Sequence, residues 1–338
     1  MSKVLEFQEN HPSRESYWRS VVLFGKNTAT YKFALAKSLL KFVRKERNIV
    51  TLAELAEPYS QYLCEHLRDA PRQTKNNSST FLDACKRFNL GDAPKEKLLE
   101  VTEREGFKYV LDAFHKVNGK DVPLFYKKEK SRIVITDYAL ELNNLRFFEN
   151  LVHETESRWN LVEKAWELGL TAGVLYVDDE VDDGKLIVKR LQRRILLTSA
   201  RDALNGYQKG KCFYCFSDLD LTPNSRMCDV DHFFPHCLFD VFPNGNWNGV
   251  WNLVLACQTC NRGEKGKFAR VPDVKYLERL HKRNEFLINS HHPLQETLMQ
   301  QTGKHECNRT EFLYESDRNA ISVLIHRWQT PPQGEEVF

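Results

Sequence analysis

Four of the nine cysteines form two Cys-x-x-Cys pairs suited to binding one metal ion. Cys212 and Cys215 form the first pair, and Cys257 and Cys260 form the second. The two-residue spacing lets both sulfurs of a pair reach one ion, and two pairs complete a tetrahedral zinc site. One pair alone would equally fit a redox motif. Two pairs predict a structural Zn²⁺ ion, because four thiolates leave no position for a substrate.

The segment between the cysteine pairs carries polar groups that could do hydrolytic chemistry. Asp231 and His232 end a short apolar run and precede Phe-Phe-Pro. Asn252 follows the turn-rich sequence Pro-Asn-Gly-Asn-Trp-Asn-Gly, and Asn261 directly follows Cys260. Each residue alone would be explained by an ordinary role, such as a helix cap for an asparagine. Together with the cysteine pairs, they indicate a reactive site.

This combination resembles the HNH, or ββα-metal, endonuclease family. The shared pattern is Asp-His, two aliphatic or aromatic residues and Pro, then Asn-Leu, then Cys-x-x-Cys-Asn. The nine-residue step from Asn252 to Asn261 matches the HNH domain of the RNA-guided CRISPR effector nucleases. The resemblance covers roughly residues 205–270, about a fifth of the chain, and the motif is specific only as a combination.

The resemblance implies a role for each motif residue. His232 would be the general base that takes a proton from the attacking water. Asp231 and Asn261 would hold one divalent ion, Mg²⁺ or Mn²⁺, and the final Asn in place of His favours such a hard ion. Asn252 would pin the loop and orient His232. The two cysteine pairs correspond to the zinc knuckles of many family members.

The physical chemistry of these groups is compatible with phosphodiester hydrolysis. An imidazole with a pKa near 6.5 can serve as a base at neutral pH. A cation held by a carboxylate and an amide oxygen can act as a Lewis acid at the leaving oxygen. Neighbouring residues of a strand point to opposite faces. Asp231 and His232 can therefore reach one phosphate only at a strand end, where the chain bends.

Several alternatives remain open at this stage. His236 could replace one of the proposed ligands, and Cys228 and Cys237 could be extra zinc ligands, although small buried residues are expected there. The protein could cut RNA rather than DNA. It could also be a non-catalytic, zinc-stapled module that binds nucleic acid or a partner and carries a vestigial site. The expected function is hydrolysis of DNA phosphodiester bonds by nicking or cutting.

Charge distribution favours a nucleic-acid partner more than net charge does. The net charge is only +3, from 49 basic and 46 acidic residues. Residues 185–211 carry eight basic side chains against one acidic, and residues 262–283 carry eight against three. Both stretches flank the cysteine pairs, so we expect a surface that binds double-stranded DNA. The expected phosphate contacts are Arg193, Arg194, Arg262 and Lys265.

The acidic residues 178–183 offset this charge locally. Their sequence, Asp-Asp-Glu-Val-Asp-Asp, lacks the ligand spacing and the glycine of a calcium-binding loop. A solvated hairpin tip is the prediction for this segment.

The apolar periodicity and the resemblance together predict an α+β fold. A mainly helical region over residues 1–185, for recognition or partner binding, precedes an HNH domain over 186–285 and a helical extension over 286–338. The predicted helices cover residues 31–45, 51–68, 95–115, 138–169, 273–288, 292–301 and 316–328. A short hairpin is predicted at residues 124–135, and the last ten residues are predicted to be a tail.

Composition excludes several broad classes. Apolar residues make up 41% of the chain, which excludes a disordered protein. The mean hydropathy of −0.53 and the lack of a long apolar run exclude a membrane span, and the N-terminus lacks a signal-peptide pattern. We therefore expect a cytoplasmic protein. The resemblance to HNH nucleases implies a role in phage defence or restriction, with a partner protein from a defence system.

Overall fold

A computed structural model describes most of the chain. The described residues are 12–24, 28–74, 79–117, 120–167, 175–178, 185–190, 193–221, 228–242, 247–290 and 292–338. They fold into two compact units, one over residues 12–167 and one within residues 168–338. No helix in these ranges combines the length and apolar character needed to cross a bilayer. The fold is mixed helix and sheet, as the sequence predicts.

The first unit is mainly helical. Its helices are α1 (Arg14–Phe24), α2 (Tyr31–Arg44), α3 (Leu52–Asp69), α4 (Thr80–Asn89), α5 (Lys95–Val101), α6 (Val110–Ala113), α7 (Asp137–Leu140) and α8 (Phe148–Glu167). The strands are β1 (Ile49–Thr51), β2 (Lys116–Val117), β3 (Lys120–Asp121), β4 (Tyr126–Lys128) and β5 (Arg132–Ile135). One antiparallel sheet has the order β1-β5-β4, and β2 pairs with β3. The hairpin predicted at residues 124–135 is confirmed.

Helix α3 begins where its sequence predicts. The Thr51 hydroxyl accepts a hydrogen bond from the Glu54 backbone N–H at 3.1 Å, and the Glu54 carboxylate accepts one from the Thr51 N–H at 2.8 Å. Hydrogen bonds from Thr51 and Arg47 lower the pKa of the Glu54 carboxyl to about 2. This reciprocal capping box stabilises the first turn of the helix.

Two predicted helices are interrupted. Residues 95–115 contain α5, a π-helical turn over Thr102–Gly106 and α6. The Gly106 carbonyl accepts a hydrogen bond from the Tyr59 hydroxyl at 3.0 Å, so a tertiary contact with α3 competes with a continuous helix. The helix predicted over residues 138–169 is divided, as far as Glu167, into α7, a 3₁₀ turn and α8, because Leu145 has an extended backbone.

A buried charged network connects α3 and α8. The His66 imidazole lies parallel to the Trp159 ring, with 3.6 Å between ring centres. Its Nδ1 lies 2.8 Å from the Glu163 carboxylate, and its Nε2 lies 3.1 Å from that of Glu156. Burial lowers the pKa of His66, but the two carboxylates outweigh burial and raise it to about 9. His66 is therefore protonated at neutral pH.

The second unit combines small sheets with C-terminal helices. Strands β6 (Leu175–Asp178), β7 (Lys185–Arg190) and β8 (Arg193–Ser199) form an antiparallel sheet, and β9 (Cys228–His232) pairs antiparallel with β10 (Leu253–Cys257). Strands β11 (Val271–Pro272) and β12 (Arg327–Trp328) pair in parallel. The helices are α9 (Ala200–Gln208), α10 (Gln258–Arg262), α11 (Val274–Ile288), α12 (Gln295–Thr302) and α13 (Glu306–Val323). Residues 179–184, most of the predicted acidic tip, lie outside the described residues.

The C-terminal elements differ from prediction. Helix α13 begins at Glu306 rather than Ser316, and Arg309 in its first turn makes a buried ion pair with Glu285 of α11 at 2.5 Å. Residues 327–328 form β12 rather than the end of a helix, because they pair with β11.

The last residues are packed rather than free. The backbone N–H groups of Gln333 and Gly334 donate to the Cys215 carbonyl, at 2.7 and 3.1 Å. The Phe338 ring is buried and lies 5.1 Å from the Phe216 ring between centres. The prediction of a tail is therefore wrong, because these residues pack against the turn that contains the first cysteine pair.

The raised pKa of His66 predicts a pH-dependent stability. Because the folded pKa of about 9 exceeds the unfolded value near 6.5, protonation contributes stability in full below pH 6.5. The contribution of about 3 kcal/mol is lost as pH rises through 9. Urea unfolding followed by circular dichroism from pH 6 to 9.5 measures this loss. His66→Gln is the control, and the stability gap between it and the wild type should narrow over the same interval; a constant gap contradicts the assignment.

Candidate functional site

The two cysteine pairs converge at the junction of β10 and α10. The four sulfurs of Cys212, Cys215, Cys257 and Cys260 all lie within 4.8 Å of one another. Cys257 ends β10 and Cys260 lies in α10, while the first pair lies in a turn. That turn is fixed to β10 by the Phe213 N–H, which donates to the Leu255 carbonyl at 2.9 Å.

This cluster can hold a metal ion. The sulfurs of Cys215 and Cys257 are 3.8 Å apart, and sulfurs on a tetrahedron with bonds of about 2.3 Å are separated by about 3.8 Å. Hydrogen bonding from Cys212 lowers the pKa of the Cys215 thiol to about 6 and lowers that of Cys257 further. Burial raises the pKa of the Cys212 thiol. The donor set is suited to a soft or borderline metal.

Strand β9 ends at the Asp-His motif. The register pairs His232 with Leu253 and Asp231 with Val254. Alternation along the strand places Asp229 and Asp231 on one face and His232 on the other. The chain bends immediately after His232, before Pro235. The structure therefore places the acid and the imidazole at a strand end.

Asp231 is buried between a phenol and an ammonium group. Its Oδ2 accepts a hydrogen bond from the Tyr214 hydroxyl at 2.6 Å, and its Oδ1 lies 3.2 Å from Lys267 Nζ. Burial raises the pKa of the Asp231 carboxyl, although Lys267 and Tyr214 act in the opposite direction. The Lys267 ammonium also donates to the carbonyls of His232 and Phe268, at 2.9 and 3.2 Å. Lys267 thus ties the end of β9 to the loop after α10.

His232 faces a different set of neighbours. Its Nε2 lies 3.0 Å from Asn248 Oδ1, which is within hydrogen-bonding distance. The rings of His236 and Phe239 lie 6.0 and 5.4 Å from the His232 ring between centres. The imidazole is half-buried. It is therefore held in place and still accessible to solvent.

Asn252 is fully buried and fixes the loop between β9 and β10. Its Oδ1 accepts a hydrogen bond from the Phe234 N–H at 2.8 Å, and its Nδ2 donates to the carbonyls of Phe234 and Trp247 at 3.1 and 2.8 Å. The Phe233 N–H also donates to the Asn252 carbonyl at 2.7 Å. These bonds hold the backbone that follows His232.

Asn261 in α10 faces β9 through Asp229. Its Nδ2 donates to Asp229 Oδ2 at 3.0 Å, and the Arg262 guanidinium donates to Asp229 Oδ1 at the same distance. Because Asp229 takes the amide nitrogen, the amide oxygen of Asn261 is directed elsewhere. Asp229 and Asp231 share one face of β9, so Asn261 lies on the same side of the hairpin as Asp231.

The predicted phosphate contacts belong to two separate segments of the chain. Arg262 and Lys265 are exposed near the site. Arg193 and Arg194 begin β8, paired with Arg190 and Lys189, and their side chains lie outside the described part of the chain. Two basic residues of the 262–283 stretch, Lys267 and Arg283, are buried, so this stretch is only partly a solvated surface.

The two additional cysteines near the site behave differently. Cys228 is buried and is paired with Cys257 across the hairpin. Cys237 is exposed, against the expectation of a buried residue, because it lies in a short 3₁₀ turn after Pro235.

Four residues that contact the candidate site are not among those predicted from the sequence. Tyr214 lies inside the first Cys-x-x-Cys pair, where its phenol was available as a hydrogen-bond donor. Asp229 lies two residues before Asp231, and this spacing on a strand indicates a shared face. Lys267 and Asn248 carried no distinguishing sequence signal, since one lies in a basic stretch and the other in a turn-rich loop.

Comparisons with known proteins give no match: no protein-family model, no curated protein and no solved structure is similar to this chain. The geometry of the site is therefore the basis for a functional proposal.

Removing the buried partner of Asp231 should destabilise the hairpin. Lys267→Met leaves the Asp231 carboxylate buried with only the Tyr214 hydroxyl, which we expect to cost about 3 kcal/mol. Native-state hydrogen exchange of the β9 and β10 amides measures the loss locally. Lys265→Met is the matched control, because Lys265 is exposed two residues earlier, and its exchange should match the wild type. Equal protection in both variants contradicts a structural role for the Lys267–Asp231 pair.

Proposed function

We propose that this protein is a metal-dependent endonuclease of the HNH type that hydrolyses DNA phosphodiester bonds. One observation carries the proposal: β9 ends at Asp231 and His232, and α10 holds Asn261 against Asp229, on the strand face that Asp231 shares. The four-cysteine cluster lies at the opposite end of the same hairpin, where Cys257 is opposite Cys228. This arrangement agrees with the order of elements in the ββα-metal motif that the sequence resembles. A buried Asn252 fixing the connecting loop is the fourth element of the same pattern.

His232 is the proposed general base. Its imidazole is partly accessible, and its Nε2 contacts Asn248, so the ring has a defined orientation. Under this proposal the imidazole would take a proton from an attacking water. The backbone on both sides of the ring is restrained, by Lys267 at the His232 carbonyl and by Asn252 at Phe233 and Phe234.

Asp231 and Asn261 are the proposed ligands of a divalent cation, Mg²⁺ or Mn²⁺. One carboxylate and one amide oxygen fit a hard ion that keeps water and phosphate oxygens as its other ligands. Asp229 supports this fit, because its hydrogen bond to the Asn261 amide nitrogen leaves the amide oxygen to face a cation. Such an ion would supply Lewis-acid stabilisation of charge on the phosphoryl and leaving oxygens.

The Lys267 ammonium lies beside the same carboxylate. Its ammonium is 3.2 Å from Asp231 and is almost completely buried. Because three protein oxygens accept its hydrogen bonds, it holds Asp231 in position rather than contacting a phosphate. Exposed Arg262 and Lys265 are the proposed phosphate contacts near the site, together with Arg193 and Arg194 of β8.

The four-cysteine cluster is proposed to bind structural zinc. Its sulfur spacing fits a closed tetrahedral site with no position for substrate. The setting that best suits such a nuclease is phage defence or restriction, with a partner protein from the same system. Under this proposal the helical first unit is the part that recognises substrate or partner.

A plasmid-cleavage assay tests the nuclease proposal. Supercoiled plasmid incubated with the full-length protein and Mg²⁺ or Mn²⁺ should convert to open-circle or linear DNA. His232→Ala should reduce the rate by at least about a hundredfold, because it removes the base. His326→Ala, an exposed histidine of the same unit, should cleave at the wild-type rate.

Two outcomes would contradict the nuclease proposal. Cleavage retained in His232→Ala would exclude the proposed base. DNA and zinc binding without cleavage under any divalent metal would favour the alternative function, a non-catalytic zinc-stapled binding module.

Loss of one cysteine should release zinc and unfold the hairpin region. Cys212→Ser removes one of four thiolates, and the ion organises both the 212–216 turn and the β10–α10 junction. Elemental analysis should give one zinc per wild-type chain and markedly less in the variant. Cys237→Ser, at an exposed cysteine outside the cluster, should retain full zinc. A folded, zinc-free Cys212→Ser protein that still cleaves plasmid would refute the structural role.

A further inference from the structure

The loop over residues 263–270, between α10 and β11, exposes a large aromatic side chain. Phe268 is 54% exposed, and its ring meets no other aromatic ring in the described part of the chain. Its backbone has φ +46°, a left-handed conformation that favours glycine and is unusual for a bulky residue. Both the exposure and the backbone conformation are unfavourable for the isolated fold.

Phe216, in the same unit, provides a contrast with Phe268. Phe216 also has a positive φ, at 62°. Its side chain is 3% exposed, packs near Phe338, and lies 4.2 Å from the Arg279 guanidinium carbon. Burial of the ring offsets the backbone strain at Phe216. The Phe268 side chain is much less buried, so less packing is available to offset its backbone strain.

Close backbone packing and hydrogen bonds hold the loop that presents Phe268. A Cβ on Gly263 would lie 2.6 Å from the Thr259 carbonyl oxygen, and a Cβ on Gly266 would lie 2.8 Å from Gly263, so both turns are tightly packed. The Trp328 indole N–H donates to the Lys265 carbonyl at 2.8 Å. The Arg270 guanidinium donates to the carbonyls of Gly266 and Lys265. A tightly bonded loop pre-organises an exposed ring for a ligand.

The loop is connected directly to the proposed reactive site. The Phe268 N–H donates to the Asn261 carbonyl at 2.9 Å, and the Phe268 carbonyl accepts from Lys267, which also contacts Asp231. Exposed Arg262, Lys265 and Arg270 lie in the same segment. An aromatic ring among exposed cations, anchored to a proposed metal ligand, matches the chemistry that binds single-stranded nucleic acid.

We propose that Phe268 stacks on a nucleobase next to the scissile phosphate; this inference rests on the proposed nuclease function. The cations neutralise the backbone phosphates, while the ring offers its face to a base. Because bases within a duplex already stack on their neighbours, a free face is available only where a base is unpaired or displaced. The substrate class is therefore DNA with an unpaired base at the cleavage site, such as a single strand or a distorted duplex.

Binding measurements test this contact without cleavage. Full-length protein carrying His232→Ala is titrated with a single-stranded oligonucleotide that contains 2-aminopurine, whose fluorescence falls when it stacks. Adding Phe268→Ala should weaken binding about tenfold, which corresponds to about 1.4 kcal/mol, and abolish the protein-induced fluorescence change. Phe268→Trp should restore both, whereas Phe268→Leu, which lacks a π face, should restore neither. Ile325→Ala, at another exposed apolar residue of the unit, should bind like the parent.

Stability provides an independent readout. Phe268→Gly removes the ring and relieves the backbone strain, so its urea midpoint should equal or exceed that of the parent while its DNA binding falls. A lower midpoint would show that the ring serves the fold and would overturn the proposal. Unchanged affinity and fluorescence in Phe268→Ala, or equal binding of single-stranded and fully paired DNA by the parent, would also overturn it.

These outcomes are separable from failure of the proposed function. If the wild type cleaves plasmid in a His232-dependent manner but the Phe268 variants bind normally, only the stacking contact is wrong. If the wild type neither cleaves nor binds DNA, the nuclease proposal fails as well.

Discussion

The convergence of four sulfurs at the β10–α10 junction is the constraint on which the second unit depends. It attaches the turn over residues 212–216 to the end of the hairpin. That turn delivers the Tyr214 hydroxyl to Asp231, and its carbonyl at Cys215 anchors the chain at Gln333 and Gly334. A metal in the cluster would therefore hold in place the turn that contacts the hairpin, the Asp231 carboxylate and residues 333–334. Metal binding and folding of this unit are expected to be coupled.

Charge around the strand end is balanced by buried partners rather than by solvent. Asp231 and Lys267 are both buried, and neither could be buried alone without a large desolvation cost. On the same strand face, the Asp229 carboxylate accepts hydrogen bonds from Asn261 and Arg262. These hydrogen bonds fix the orientation of the polar groups, and under the proposed nuclease function little reorganisation would be needed for catalysis.

Buried charged groups have different roles in the two units. In the first unit, His66, Glu156 and Glu163 join α3 to α8, and the network stabilises the fold only while the imidazole is protonated. In the second unit, the ion pair lies beside groups proposed to do chemistry. Phe268 contrasts with both, since its side chain is more than half exposed at a residue with a positive φ. That contrast separates residues that serve stability from those suited to contact a ligand.

The sequence by itself determined the elements whose signals are local. Spacing identified the metal-binding cysteines, the Thr51–Glu54 capping box predicted the start of α3, and the Asp-His and Asn positions marked the candidate site. Only the tertiary structure decided the partners of those residues. Tyr214, Lys267 and Asp229 act through contacts between segments far apart in sequence, and the C-terminal residues pack because a distant turn accepts their hydrogen bonds. The helix break near Gly106 has the same cause, because the tertiary contact with Tyr59 outweighs local propensities of a few tenths of a kcal/mol per residue.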